Sequence, residues 1–164
     1  MAHELVWVDY NNYNEMLTPE QQKKLVAIAT SLQRLEKEWV VFNHEKNRPV
    51  RLYNYLEDLF YVPWENHGIG LVVLKVDGEP IGMYQVVLDE SDLSVGTILT
   101  VAIDEEHRNK GYGKILMQES SHLLSERGIF TTQLSFDSSN PVAKKFYTSL
   151  GYIERTIVMM KGPK

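Results

Sequence analysis

Cysteine is missing from all 164 positions of this chain. Its absence excludes a disulfide framework, a thiolate nucleophile and any Cys-ligated metal, and with them the disulfide-stapled designs of small extracellular domains. Long hydrophobic runs are missing as well. The aliphatic stretches end after a few residues, far short of the roughly 20 needed to cross a bilayer. The opening Met1-Ala2-His3-Glu4-Leu5 carries neither the basic region nor the apolar core of a secretory signal. The expectation is a cytoplasmic protein with no membrane partner. Nor is there an excess of positive charge: 17 Lys and Arg stand against 22 Asp and Glu, for a net charge of -5. Nonspecific nucleic-acid affinity comes from Lys and Arg on phosphates, so no nucleic-acid partner is expected, and a cationic small molecule suits this field better. The histidines, at 3, 44, 67, 107 and 122, form no His-Glu-x-x-His or other compact ligand spacing, so no metal is expected.

What is present is enough apolar material for one core. A hydrophobic fraction of 43% over this length supports a single domain across residues 1–164 and leaves too little for two. Leu5 to Val8 reads as a first strand. Thr18-Pro19-Glu20-Gln21 is a helix start, with Thr18 as N-cap, Pro19 at the first helical position and Gln21 at the capping-box position. Leu25, Ile28, Ala29, Leu32, Leu35 and Trp39 then recur at spacings of three and four, which predicts one buried stripe. Residues 51–60 are compatible with a second helix, crowded with aromatics and broken at Pro63. Two apolar runs, 70–76 and 81–88, flank Asp77-Gly78, a turn signal that predicts an antiparallel hairpin. A strand ending at Ile103 follows, then a helix from about 111 to 127 with Gly128 at its left-handed end. A strand over 130–136, a helix over 141–150 closed by Gly151, and a final strand over 152–160 complete the order. The fold class is α/β, with a mixed, mostly antiparallel central sheet flanked by helices.

The least expected stretch is Arg108-Asn109-Lys110-Gly111-Tyr112-Gly113, which places positive charge and bare backbone between an apolar strand and a helix. Such a turn exposes amides with no intrahelical acceptor, and the helix dipole adds partial positive charge. Glycines at 111 and 113 allow positive φ and close approach, while Arg108 and Lys110 supply cationic donors. Together these suit a diphosphate. Two familiar nucleotide motifs fit poorly. A phosphate-binding loop of the Gly-Lys-Ser/Thr kind meets Ile115 after Gly113-Lys114, and a dinucleotide fingerprint meets Leu116 where a small residue belongs. For the hexapeptide alone, the alternative is a turn merely shaped by glycine, with solvated charges.

With the downstream residues added, the chain resembles the GNAT superfamily of N-acetyltransferases. The hexapeptide fits that family's Arg/Gln-x-x-Gly-x-Gly/Ala loop, and Asn140, Ala143, Tyr147, Gly151 and Tyr152 follow in the family's register. The likeness covers roughly residues 69–160. It implies acetyl-CoA as co-substrate, bound by a part spanning about 95–152, and an acceptor side built by residues 1–68. It implies that the diphosphate rests on the loop from Arg108 through Asn109, Lys110, Gly111, Tyr112 and Gly113 to Lys114. The pantetheine arm would run beside Val101, Ala102 and Ile103, with Asn140 also at the cofactor and an amide near Ile103 polarising the thioester carbonyl. Tyr147 is the implied acid for the departing thiolate, although it also sits in the apolar stripe Ala143, Phe146, Tyr147, Leu150. Asn140 equally suits a helix N-cap before Pro141.

Some relatives carry a Glu six positions before the residue matching Ile103; here Thr97 stands there, which leaves Glu65, His67 and Asp137 as candidate bases. The acceptor is expected to be a small-molecule or peptide amine, met by the irregular segment around 43–70. Tyr53, Tyr55, Tyr61, Trp64 and Tyr84 are candidate walls, and Glu57, Asp58 and Glu65 candidate attractors of a cation. A homodimer is compatible with the sequence. The competing readings are a catalytically inactive acyl-CoA-binding sensor or interaction domain, and a nucleotide-binding protein.

Overall fold

The computed structural model of the chain describes residues 2–9, 11–39, 69–89, 91–136, 138, 140–159 and 161–163, with the side chains of 30–39, 69 and 100 left aside. Strand β1 (His3–Asp9) leads into a single-turn helix α1 (Tyr13–Met16) and the long helix α2 (Pro19–Trp39). The start of α2 is a capping box. Thr18 N–H donates to Gln21 Oε1 at 3.0 Å and Gln21 N–H donates back to Thr18 Oγ1 at 3.2 Å, which satisfies two donors that a helix end otherwise leaves open. Leu25, Ile28 and Ala29 are buried as the stripe predicts. The suggested helix over 51–60 lies outside the described residues.

Strands β2 (Ile69–Val76) and β3 (Glu79–Leu88) form the predicted hairpin. Asp77 at φ 50° and Gly78 at φ 82° supply the two consecutive left-handed residues of a tight turn whose twist matches its strands. Strand β4 (Val95–Ile103) pairs antiparallel with β3, and β5 (Thr131–Gln133) pairs parallel with β4. Among the described residues the sheet is five-stranded in the order β1-β2-β3-β4-β5, mixed and mostly antiparallel as expected. Between β4 and β5 lies helix α3 (Tyr112–Ser125); helix α4 (Pro141–Ser149) follows β5.

Both faces of the sheet are covered, so β2 reads as a continuous apolar run, not as an alternation. Leu71 and Val73 join Leu25, Ile28 and Met83 beneath α2. Val72 and Leu74 join Tyr84, Val86, Ile98, Leu116 and Leu124 beneath α3. Tyr84, a suggested pocket wall, belongs to this second core: it is fully buried, and its hydroxyl donates to Ser120 Oγ at 2.6 Å. Its position on β3 explains the difference, because that register faces α3 and leaves no route to a ligand.

Two strand expectations fall short. The strand over 130–136 is confined to Thr131–Gln133. Described residues 152–159 form no strand, and Ile153, Ile157, Val158 and Met159 are all at least 80% exposed. Strand-forming side chains make a strand only where an edge pairs with them, and described residues 152–159 pair with none.

Candidate active site

The geometry begins at β4. Its pairing with β5 spans only Val95↔Thr131, Gly96↔Thr132 and Thr97↔Gln133, after which β4 continues to Ile103 with no β5 residue beside it. The ladder therefore ends at Thr97 and, among the described residues, no strand pairs with the β5-side edge of residues 98–103, which leaves a gap in the sheet there. A register shift opposite Met83 and Gln85 marks a bulge in β4 just before its last residues, a device that re-aims backbone groups.

At the end of β4 the peptide orientation can be worked out. Asp104 N–H donates to Ile81 O of β3 at 2.7 Å. A planar trans peptide points its C=O opposite to its N–H, so Ile103 O faces the gap. In an extended strand the N–H and C=O of one residue share a side, so the Ile103 N–H faces the gap too.

The chain then makes one 3-10 turn (Glu105–His107) and enters α3 through Arg108, Asn109 at φ 60° and Gly111 at φ 86°. Gly111 is the N-cap and has no side chain to offer the first turn, so the amides of Tyr112, Gly113 and Lys114 point outward without a side-chain cap. Lys110 and Lys114 are exposed beside them, and among the described residues neither has an ion-pair partner. Asp104 Oδ2 and His107 Nδ1 lie 3.2 Å apart within the turn, and the His107 ring meets that of Tyr112 edge-on.

The two loop glycines differ. Gly111 takes the left-handed conformation and has open space around it. Gly113 does not take positive φ, contrary to the sequence expectation. It is helical, and a Cβ there would make ordinary contacts, 3.4 Å from Phe146 Cζ and 4.0 Å from Ile103 Cγ1. Asn109 supplies the second left-handed residue of the turn.

That close approach brings three elements together. The end of β4, the first turn of α3 and the Phe146 face of α4 meet at Gly113. Tyr147, next to Phe146, is half-buried, stacked on Phe136 at 5.7 Å and edge-on to Phe146 and Tyr152 at 5.2 and 5.8 Å. Tyr152 shares its hydroxyl with Thr132 Oγ1 at 2.7 Å, and burial holds its phenol above the usual tyrosine range against that hydrogen bond. Asn140 caps α4, its Oδ1 accepting Ala143 N–H at 3.0 Å. Its amide nitrogen has no protein acceptor among the described residues and stays available to a ligand.

Thr97 replaces the carboxylate of some relatives with a neutral pair, its Oγ1 accepting from Gln133 Nε2 at 3.0 Å. Glu65, His67 and Asp137, and the walls Tyr53, Tyr55, Tyr61 and Trp64 with Glu57 and Asp58, lie outside the described residues. Sequence reading missed Phe146 as a contact of the turn; its place in the apolar stripe of α4 was the available signal. Among the described residues no three His, Asp or Glu side chains form a metal-ligand set, and no helix is long and apolar enough to cross a membrane.

Comparison with known proteins follows the same lines. A model of the Acetyltransferase (GNAT) family matches residues 24–152. The ribosomal protein bS18-alanine N-acetyltransferase of Escherichia coli strain K12 is 37% identical over 73 residues, 44% of this chain and 46% of that one. The mycothiol acetyltransferase of Kytococcus sedentarius is 31% identical over 87 residues, 53% of this chain. The chain thus spans about half the length of the first of these relatives and 29% of the second. An aminoglycoside acetyltransferase from an uncultured soil metagenomic sample shares the fold, with a TM-score of 0.62 at 16% identity over 99% of this chain and 97% of that one.

Proposed function

The chain belongs to the GNAT acetyltransferase family, and from that premise we propose that it is an N-acetyltransferase moving an acetyl group from acetyl-CoA to a primary amine by direct attack. The observation that carries the reading is the meeting of Ile103, Gly113 and Phe146 within about 4 Å. It gathers an amide cradle, an open strand edge and a tyrosine-bearing helix at one place. The fit to the co-substrate rests on the uncapped first turn of α3, the bare Gly111 and the exposed Lys110 and Lys114, which suit a diphosphate. The arm between diphosphate and thioester suits the gap, where an extended chain can pair with β4 as an added strand along Val101, Ala102 and Ile103.

In the transfer the amine lone pair forms the C–N bond at the thioester carbonyl. The gap-facing Ile103 N–H is positioned to stabilise the developing oxyanion, and the C–S bond then breaks. The leaving thiolate takes a proton from Tyr147, the nitrogen of the new amide loses one to solvent, and the tyrosinate regains its proton from solvent, which closes the cycle. A free alkylamine has a pKa of about 10, so only its minor neutral form attacks at pH 7 unless a base assists. At the strand position nearest the gap the neutral Thr97–Gln133 pair offers no such base. Residues 95–152 make up the cofactor part and residues 1–68 the acceptor side. The bS18-alanine and mycothiol relatives by name act on a peptide amine and a small molecule, so the acceptor test includes both kinds.

An assay of CoA release from acetyl-CoA against a panel of peptide N-termini and small primary amines tests the proposal. It predicts turnover with some members. CoA binding with no turnover anywhere in the panel would favour a sensor or interaction domain.

A further inference from the structure

Arg108 is the most conspicuous cation of the glycine-rich turn, yet its side chain bends back to the strand the turn has just left. Its Nε donates to Ile103 O at 2.9 Å in a half-buried setting. That carbonyl is the last one on the gap edge of β4, since the same peptide sends its N–H to Ile81 O on the β3 side. The hydrogen bond therefore spans the strand end and the cradle. It joins the residue whose N–H faces the thioester position to the loop whose amides face the diphosphate.

We propose that Arg108 is a positioning residue, a strut from the turn to the Ile103 carbonyl, and that its contribution to cofactor binding is an N–H donor at the Nε position and not its positive charge. The inference rests on the acetyl-CoA reading above. A ligand that must reach the strand edge and the cradle together binds well only if their separation is held, and a bond between them holds it. Neutralising the diphosphate then falls to Lys110, Lys114 and the first-turn amides. The strut also withdraws Ile103 O from the gap, leaving its N–H as that residue's outward group.

Side-chain geometry supplies the test. In Arg108→Gln the amide nitrogen stands the same number of bonds from Cα as Nε did, so a donor is kept while the charge is lost. In Arg108→Met the length is similar and the donor is gone. The probe is CoA, measured by calorimetry, with amide hydrogen exchange of Asp104, His107 and Arg108 in the ligand-free protein as a second readout. The expected result is that R108Q binds CoA within about twofold of wild type and keeps those amides protected. R108M is expected to bind about tenfold more weakly and exchange them faster, as befits loss of one hydrogen bond to a half-buried carbonyl. R108Q as weak as R108M, or R108M as strong as wild type, would overturn the proposal. Should wild type itself bind no CoA, the acetyltransferase reading fails, while the exchange comparison still decides whether the strut exists.

Discussion

Tyr84 and Tyr147 sit in similar apolar patterns and in different settings, one fully buried and one half-buried. Burial raises the Tyr84 phenol well above its ordinary value of 10.0, outweighing the hydrogen bond to Ser120, which pulls the other way. The folded protein thus keeps this proton where the unfolded chain loses it. Its contribution is complete below about pH 10 and falls as pH rises beyond that. Tyr84→Phe is expected to cost about 1 kcal/mol at pH 7, through the lost partner of Ser120. The difference from wild type should shrink by about 1 kcal/mol by pH 11, read from denaturant midpoints at the two pH values. A pH-independent difference would show that the phenol is not held protonated by the fold. Tyr147→Phe keeps the ring contacts with Phe136, Phe146 and Tyr152 and removes only the hydroxyl. It should lower turnover by about 10² or more with CoA affinity unchanged; equal turnover would remove Tyr147 from the chemistry. From sequence these two tyrosines differ only in the element that carries them. What separates them is which face of β3 meets α3, and that depends on the assembled sheet.

At the scale of elements, local chemistry was legible wherever the chain closes its own hydrogen bonds. The capping box at Thr18 and Gln21, the Asp77-Gly78 turn and the glycines ending α3 and α4 all appear where turn and cap chemistry puts them, with Gly128 at φ 78° and Gly151 at φ 91°. Thr18→Ala should cost about 1 kcal/mol in chemical denaturation. Gln21 also donates to Gly78 O at 3.1 Å, tying the helix to the hairpin, so Gln21→Ala should cost at least as much. The cradle glycines were legible as a pair but not as individuals. Gly111→Ala forces a Cβ into the left-handed region and should cost about 1 kcal/mol together with a loss of CoA affinity. Gly113→Ala adds a helix-favouring methyl at ordinary contact distance from Phe146 and should leave stability equal or slightly higher. Equal destabilisation by the two changes would contradict the assignment of the conformational requirement to Gly111 alone. The 3-10 turn, α1 and the shortness of β5 were not legible, since each depends on where neighbouring strands stop. The strand expected over 152–160 is absent from described residues 152–159 although they have β propensity, because propensity alone does not make a strand pair.

For the molecule as a whole, the order of elements and the mixed sheet followed from patterning, while the early end of the β4–β5 ladder did not. Pairing over Val95–Thr97 that stops short of Ile103 depends on where β5 ends in the assembled sheet, and no residue type announces it. The acidic net charge of -5 makes the cationic turn a local exception, so its lysines should act as exposed charges in salt water. Lys110→Ala with Lys114→Ala should weaken CoA binding about three- to tenfold at low ionic strength, with the difference narrowing as salt is raised. No change at low ionic strength would move the diphosphate off this turn.

The central claim is that the uncapped first turn of α3 and the gap edge of β4 hold one ligand between them. Titrating isotope-labelled protein with CoA and following its amide resonances tests that most directly. The account predicts that Gly111, Tyr112, Gly113 and Lys114 shift together with Ile103, along one saturation curve. Unmoved resonances at millimolar CoA, or shifts confined to other elements, would contradict it.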